Sequence, residues 1–450
     1  MNIDAKKSLA GALIVLVLNG GAYSGAAPGP ESTGAAGTTV EWPVTRCGTY
    51  SGKGCALTDK RVDVERPKFS DPTKITNPFF PISTLSSVVL LGKVDGKPFR
   101  SETTLIPGKH TVTVDGTAIE VVISQYTAYL DGRIDEVAID RYAQADDGSV
   151  WYLGEDVYDY RNGTIAITEG TWLAGRDGPP AMIMPANPQV GNVFRAENVT
   201  GVVFEEIAVK ALNKTVKGPR GPVDGAVVMQ ELHLDGSTSD KVFAPGYGEF
   251  DTSSNGDVEA LALAIPTDAI SEGLPYQLRL LSTSAFGILE NVRLKDWEAA
   301  TPTLGRVQNL WKELQARNYP PRVVGQMNGE IKALKIAVAK KSVAGASQAA
   351  VDVAQAALDL ELLYRRNVEV DRFHLHAQQL RVHAAAKDLA GVTGEVAVLE
   401  WIRDRLTGSV DDLRLARLDE DLRALRAASN ARNPQAAADI AARAASKLRG

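Results

Sequence analysis

The chain has 450 residues, 44% hydrophobic and 23% charged, with a net charge of -6 at neutral pH. That size and balance fit two or three globular domains and exclude a staple-held miniprotein, a coiled coil or a disordered chain. The acidic excess argues against nucleic acid as the main partner, because a phosphate-binding surface needs surplus Lys and Arg.

Lys6 and Lys7 precede an apolar run from Leu9 to Leu18, which gives way to the small and polar residues Asn19–Ala26. The run is shorter than the roughly 20 residues of a spanning helix, and Ser24 and Ala26 suit a peptidase site. Residues 1–26 therefore read as a signal peptide, with an uncleaved anchor as the alternative, and the protein as secreted or periplasmic. No later segment is apolar enough to cross a bilayer, so the mature chain is expected to be soluble. Residues 27–70 read as a linker: Ala26–Thr39 is rich in Gly, Ala, Pro, Ser and Thr, and too little apolar surface is present to order it. Cys47 and Cys55 are the only cysteines, and in an oxidising compartment the pair is expected to close a small disulfide loop outside the main core.

Residues 71–296 carry the pattern of an antiparallel β domain. Between Ile82 and Leu294, short Val-, Ile-, Thr- and Tyr-rich segments are punctuated by Asp95-Gly96, Pro107-Gly108, Asp115-Gly116, Asp131-Gly132, Asp147-Gly148 and Asn162-Gly163. Such dipeptides supply the positive φ of tight hairpins, and their spacing predicts a meander forming a curved sheet, barrel or sandwich. Ile119, Val121 and Ile123 alternate with Glu120, Val122 and Ser124, which predicts one drier face.

Residues 297–450 predict a helical bundle, making the whole an α+β chain with its two kinds of element segregated. Apolar stripes at helical spacing run through Leu304, Val307, Trp311 and Leu314, then through Val324, Met327, Ile331, Leu334 and Val338. Others run through Val370, Phe373, Ala377, Leu380 and Ala384, through Val392, Val396, Leu399, Ile402 and Leu406, and through Leu415, Leu418, Leu422 and Leu425. Ser409 with Asp412 predicts a cap for the last, and Ala436–Leu448 reads as a loosely packed helix or tail. The abrupt change of apolar period near Leu294 predicts that each half buries its apolar face chiefly against itself. Net charge is +5 from Trp297 onward and -11 before it, a difference that two unequal solvated surfaces explain.

The stretch Asp140–Tyr160, with Gly170–Gly178 and Met184–Gly191, resembles a group of uncharacterised bacterial secreted proteins. Within the same region, Val242-Phe-Ala-Pro-Gly-Tyr-Gly-Glu249 is similar to a signature of open-barrel, lipoprotein-carrier-type envelope proteins, with Tyr247 replacing a small aliphatic residue. The second resemblance implies a curved sheet with a concave apolar face; neither implies an activity or catalytic residues.

Tyr142, Trp151, Tyr152, Tyr158, Tyr160 and Trp172 crowd into about thirty residues. Cross-strand packing explains them, and the sharper alternative is a cavity they line, with Met182 and Met184 at its mouth, holding an apolar small molecule or lipid. Asp251, Asn255 and Asp257 surround Gly256 much as ligands do in a calcium loop, but Ala262 stands where a bidentate carboxylate belongs. His374, His376 and His383 fall on one predicted helix. His376 and His383 are about 10 Å apart along its axis, so a shared transition metal needs a ligand from another helix. The adjacent carboxylates Glu155–Asp156 and Glu205–Glu206 point to opposite faces of a strand and cannot act as a pair. With no nucleophile elbow, zinc-protease helix or phosphate loop, the residues favour a binding or envelope-associated module, with a metal-binding protein or an unrecognised hydrolase as alternatives. The expected partner is an apolar small molecule, a lipid or another envelope protein.

Overall fold

Four of the dipeptides do what their composition requires. Asp95-Gly96, Asp115-Gly116, Asp131-Gly132 and Asn162-Gly163 all have positive φ at both positions, the geometry of two-residue turns between antiparallel strands. They join β1 (Ser87–Val94), β2 (Lys97–Val114), β3 (Thr117–Leu130) and β4 (Arg133–Gln144) in sequence, and β5 (Val150–Arg161) to β6 (Thr164–Ile167). Pro107-Gly108 is not a turn. It sits inside β2, where the register with β3 shifts between Ile106 and His110, so the dipeptide marks a bulge.

The structure, a computed structural model, describes residues 55–449 apart from Asn255. The segment expected to be a signal peptide, most of the expected linker and Cys47, and with it the disulfide expectation, lie outside the described residues.

After β6 come β7 (Trp172–Leu173) and β8 (Ala181–Met184), which both pair with β5. A second meander follows: β9 (Val193–Val199), β10 (Val203–Gly218), β11 (Gly221–His233), β12 (Thr238–Ala244), β13 (Gly248–Ser254) and β14 (Asp257–Ile265). Because β14 pairs with β1, the two meanders form one antiparallel sheet in the order β6-β5-β4-β3-β2-β1-β14-β13-β12-β11-β10-β9. The sheet curls until β8 packs against β9 but does not close into a barrel.

Eight helices among the described residues follow: α1 (Tyr276–Arg293), α2 (Trp297–Leu314), α3 (Pro321–Ala339), α4 (Val343–Leu362), α5 (Glu369–Ala385), α6 (Leu389–Arg405), α7 (Asp412–Asn430) and α8 (Pro434–Arg449). The helical region thus begins one helix earlier than the period change implies. The apolar stripes are largely buried as expected, and Ala436–Leu448 belongs to α8, packed through Ala437, Ala441, Ala444 and Leu448. The cap of α7 is Asp411, whose carboxylate accepts from the Arg414 N–H, and not Ser409. Each helical hairpin turns on one left-handed basic residue, Lys295, Lys341, Lys387 or Arg432, spaced roughly 46 residues apart. The residue after each, Asp296, Ser342, Asp388 or Asn433, accepts from the backbone N–H three positions on. The region is therefore a fourfold helical-hairpin repeat.

The helices pack on the outer face of the sheet, and two cores are shared between the halves while three are built from the strand region alone. Val89, Leu263 and Ile265 share a core with α1–α4, and Tyr129, Ile134, Val137 and Tyr160 share another with α5–α8. Gly163 fixes the docking: a Cβ there would lie 2.3 Å from the Ala390 carbonyl oxygen of α6. Among the described residues no helix is long and apolar enough to cross a membrane.

Candidate functional site

Where the outer face of the sheet meets α3–α6, a cleft of about 860 Å³ remains. One wall is the hairpin end of β1–β3, contributing Leu91, Phe99, Arg100 and Tyr129; the other is helical, contributing Gln326 and Glu330 from α3, Gln348, Asp352 and Gln355 from α4, His376 and Gln379 from α5, and Glu395 from α6. Amide side chains dominate the floor. Gln348 and Gln379 exchange hydrogen bonds at 3.0 and 2.8 Å, and Gln348 also donates to Asp352. Burial raises the Asp352 carboxyl to about 6, and burial together with the facing Asp352 raises Glu330 to about 7. Two buried atoms of the lining, Gln326 Oε1 and His376 Nε2, have no partner among the described residues.

Glu395 stands between the two histidines singled out in the sequence. His376 Nδ1 lies 2.9 Å from Glu395 Oε2, while His383 Nε2 lies 4.0 Å from Glu395 Oε1 and its Nδ1 pairs with Asp388 at 2.9 Å. The second helix supplies a carboxylate, but the three residues do not converge on a single point. Tyr129 stacks on His376 with ring centroids 5.7 Å apart. Behind this wall lies a charge network that reaches the cleft only through Arg100. Glu102 on β2 receives Arg405 at 3.0 Å and Arg100 at 2.7 Å, with Arg372 at 3.6 Å; Arg100 also holds Asp359, and Arg372 holds Glu369. Burial alone would raise the Glu102 carboxyl, but the three guanidinium groups overcome it and hold it well below its ordinary range.

The inner, concave face has a different character. Asp140 on β4, Glu155 on β5, Glu197 on β9, Glu205 on β10 and Glu231 on β11 are buried there, with Glu249 on β13 half-buried, against one lysine, Lys241. They face one another across the curl: Glu155 acts on Glu197, and Glu249 acts on Asp140 from five strands away in sheet order. Burial raises Asp140 to about 6, Glu231 to about 7 and Glu197 to about 8, and Glu155 well above the ordinary range; Glu205 adds to the rise at Glu231 and Glu197, and Glu197 to that at Glu155, while the Glu155 hydrogen bond pulls Glu197 down and those of Tyr152 and Ser124 pull Asp140 down. Tyr152 donates to Asp140 at 2.6 Å, and the indole of Trp172 favours the ionised form of Glu197.

The aromatic cluster divides between the two faces. Tyr142 stacks on Tyr152 at 4.9 Å and Tyr152 meets the edge of Trp172 at 5.6 Å, whereas Tyr158 packs on Trp401 of α6 and Tyr160 accepts from its indole N–H. Trp151 pairs with Met182 across the ladder and donates to Ser149. Met182 and Met184 are buried at 4% and 0% exposure, so they are core residues and not a cavity mouth. The inner face holds a cavity of only about 70 Å³, bordered by Tyr142, Asp140, Glu249 and the segment Phe80–Leu85. Asp251 and Asp257 belong to the β13–β14 hairpin, and Asp257 accepts from the Asp95 backbone N–H. Asn255 lies outside the described residues. Among the described His, Cys, Asp and Glu residues, the group close enough to share a metal is Glu205, Glu231 and His233.

As expected, neighbouring carboxylates diverge: Glu206 turns away from Glu205 to accept from the Ala56 N–H and Arg195, and Asp156 pairs with Arg141. The residues that matter most on both faces, Glu102, Glu197, Glu231, Glu330, Gln348 and Glu395, went unnoticed in the sequence. Their available signal was a charge at an inward position, as in Glu231-Leu-His233. In comparison with known proteins, the chain matches no family model, and no curated protein matches it.

Proposed function

We propose that the protein is an exported binding module that holds a small ligand rich in hydroxyl or amide groups in the cleft between the sheet and α3–α6. Export rests on residues 1–26. The observation that carries the site is that two layers wall a cleft of about 860 Å³ while leaving His376 Nε2 and Gln326 Oε1 buried without partners. Such atoms cost about 1–3 kcal/mol each until a ligand or water reaches them, and the volume suits a small-molecule site. Carboxylates and amides on the helical wall, with Val351 and Leu375 among them and Leu91 and Phe99 on the sheet wall, offer both polar and apolar contacts. The cavity bordered by Tyr142 and Asp140, at about 70 Å³, is too small for a lipid.

Native mass spectrometry of the full-length protein, purified gently from its host, tests this reading. A polar species that co-purifies with the wild type and is lost from Gln379→Leu and His376→Ala supports it. A lipid held equally by all three contradicts it, as does an empty chain that stays silent in saturation-transfer NMR against sugars and dipeptides.

A further inference from the structure

We propose that Glu205, Glu231 and His233 form a binding site for a divalent transition metal of the zinc or manganese class, separate from the cleft and independent of its ligand. Glu205 on β10 is directly opposite His233 on β11, and Glu231 lies two residues before His233 on the same face. One ligand atom from each lies within 4.8 Å of the others.

Proton accounting argues for a cation there. With Glu231 ionised, the Ser239 hydroxyl donates its one hydrogen to Glu231 Oε2 at 3.0 Å, and its oxygen then accepts from His233 Nε2, 2.9 Å away. An imidazole with its proton on Nε2 presents a lone pair at Nδ1, and that atom faces Glu205 Oε1 at 3.1 Å. Two lone pairs that close need a cation between them, either a proton on Nδ1 or a metal ion. A metal bound at about 2.0–2.1 Å to both atoms would subtend about 100° across that gap, an ordinary coordination angle. Glu205 Oε2 is also buried without a partner among the described residues, and is free to serve as a second oxygen donor. Ser239 then acts as the outer partner that fixes the histidine tautomer. Lys241 holds the other oxygen of Glu231 at 2.8 Å, so that carboxylate offers a single donor. The His233 side chain is 21% exposed, which leaves a path for an ion. One imidazole with two carboxylates suits zinc or manganese better than calcium, which takes oxygen alone.

The test is titration of Zn²⁺ and Mn²⁺ into the chelator-stripped full chain, with calorimetry for affinity and elemental analysis for stoichiometry. The expected result is one ion per chain, bound at least tenfold more weakly by His233→Asn and Glu205→Gln and unchanged in His376→Ala. No saturable binding would overturn the proposal and leave a proton as the cation between the two atoms. Binding that survives His233→Asn, or that is lost in His376→Ala, would overturn it equally. Should a ligand variant fail to fold, Ser239→Ala keeps all three ligands and is expected to weaken binding about tenfold; unchanged affinity would contradict the assignment.

Discussion

The two faces of one sheet bury charge in opposite ways. On the outer face, under the helices, Glu102, Asp359 and Glu369 are met by Arg100, Arg372 and Arg405, so acid and base balance. On the inner face Asp140, Glu155, Glu197, Glu205, Glu231 and Glu249 share Lys241 and His233. A paired charge tolerates burial because its partner replaces water; an unpaired carboxyl tolerates it by holding a proton. The outer face is therefore a joint, while on the inner face Asp140, Glu155, Glu197 and Glu231 are pushed toward the protonated form.

The comparison breaks most sharply at Glu102. Glu102→Gln leaves Arg372 and Arg405 buried with less than their charge complement and should cost about 3–5 kcal/mol in urea unfolding. The inner-face substitution Glu155→Gln, which keeps a group already neutral, should cost far less at pH 6; equal losses would erase the distinction. Next comes Gly163→Ala, which combines a φ of +78° with a clash against α6. It should cost about 2–3 kcal/mol and lower the melting temperature of sheet and helices together. A biphasic melt in the wild type would show instead that the layers are independent.

Smaller effects sharpen the picture. Glu197→Gln removes a carboxyl whose proton is lost near pH 8, so it should stabilise the chain by about 1–2 kcal/mol at pH 9 and leave it unchanged at pH 5. Asp388→Ala removes the cap of α6 and the partner of Arg133 and His383, and should cost about 1 kcal/mol in thermal unfolding.

Much of this fold was legible because its signals are local. Asp-Gly and Asn-Gly pairs set hairpins through backbone sterics, and the helical stripes are set by burial of one flank. What was missed depends on distance. The helix α4 is apolar nearly all round, from Ala346 to Leu362, so it offers no stripe to read, and α1 sat unrecognised beyond the strands. The repeat was present in Lys295-Asp296, Lys341-Ser342, Lys387-Asp388 and Arg432-Asn433, but its period is carried by turn chemistry and not by apolar residues. Glu102 meets Arg372 and Arg405 across about 300 residues, and Glu155 meets Glu197 only because the sheet curls, so neither partnership leaves a spacing in the chain. Glu395 meets His376 from another helix, 19 residues further along the chain, and that contact leaves no spacing in the sequence either.

The contrast between the faces is tested most directly by unfolding free energy measured against pH, in chelator to keep metals away. Asp140, Glu231 and Glu197, held near 6, 7 and 8 in the folded chain, bind more protons folded than unfolded above their ordinary values. Stability must then fall as pH rises from about 5 to 8. Glu102 works in the other direction, since its lowered carboxyl contributes stability that disappears only as pH drops below about 4. His374, pushed down to about 4 by burial, adds a gain on rising through pH 5, while Asp352 and Glu330 in the cleft, raised to about 6 and 7, add to the fall. The account predicts a chain more stable at pH 5 than at pH 8, with the slope reduced in Glu197→Gln. Stability that climbs steadily from pH 5 to pH 8 would mean that the inner carboxylates are ionised and paired like those under the helices, and the contrast between the faces would be wrong.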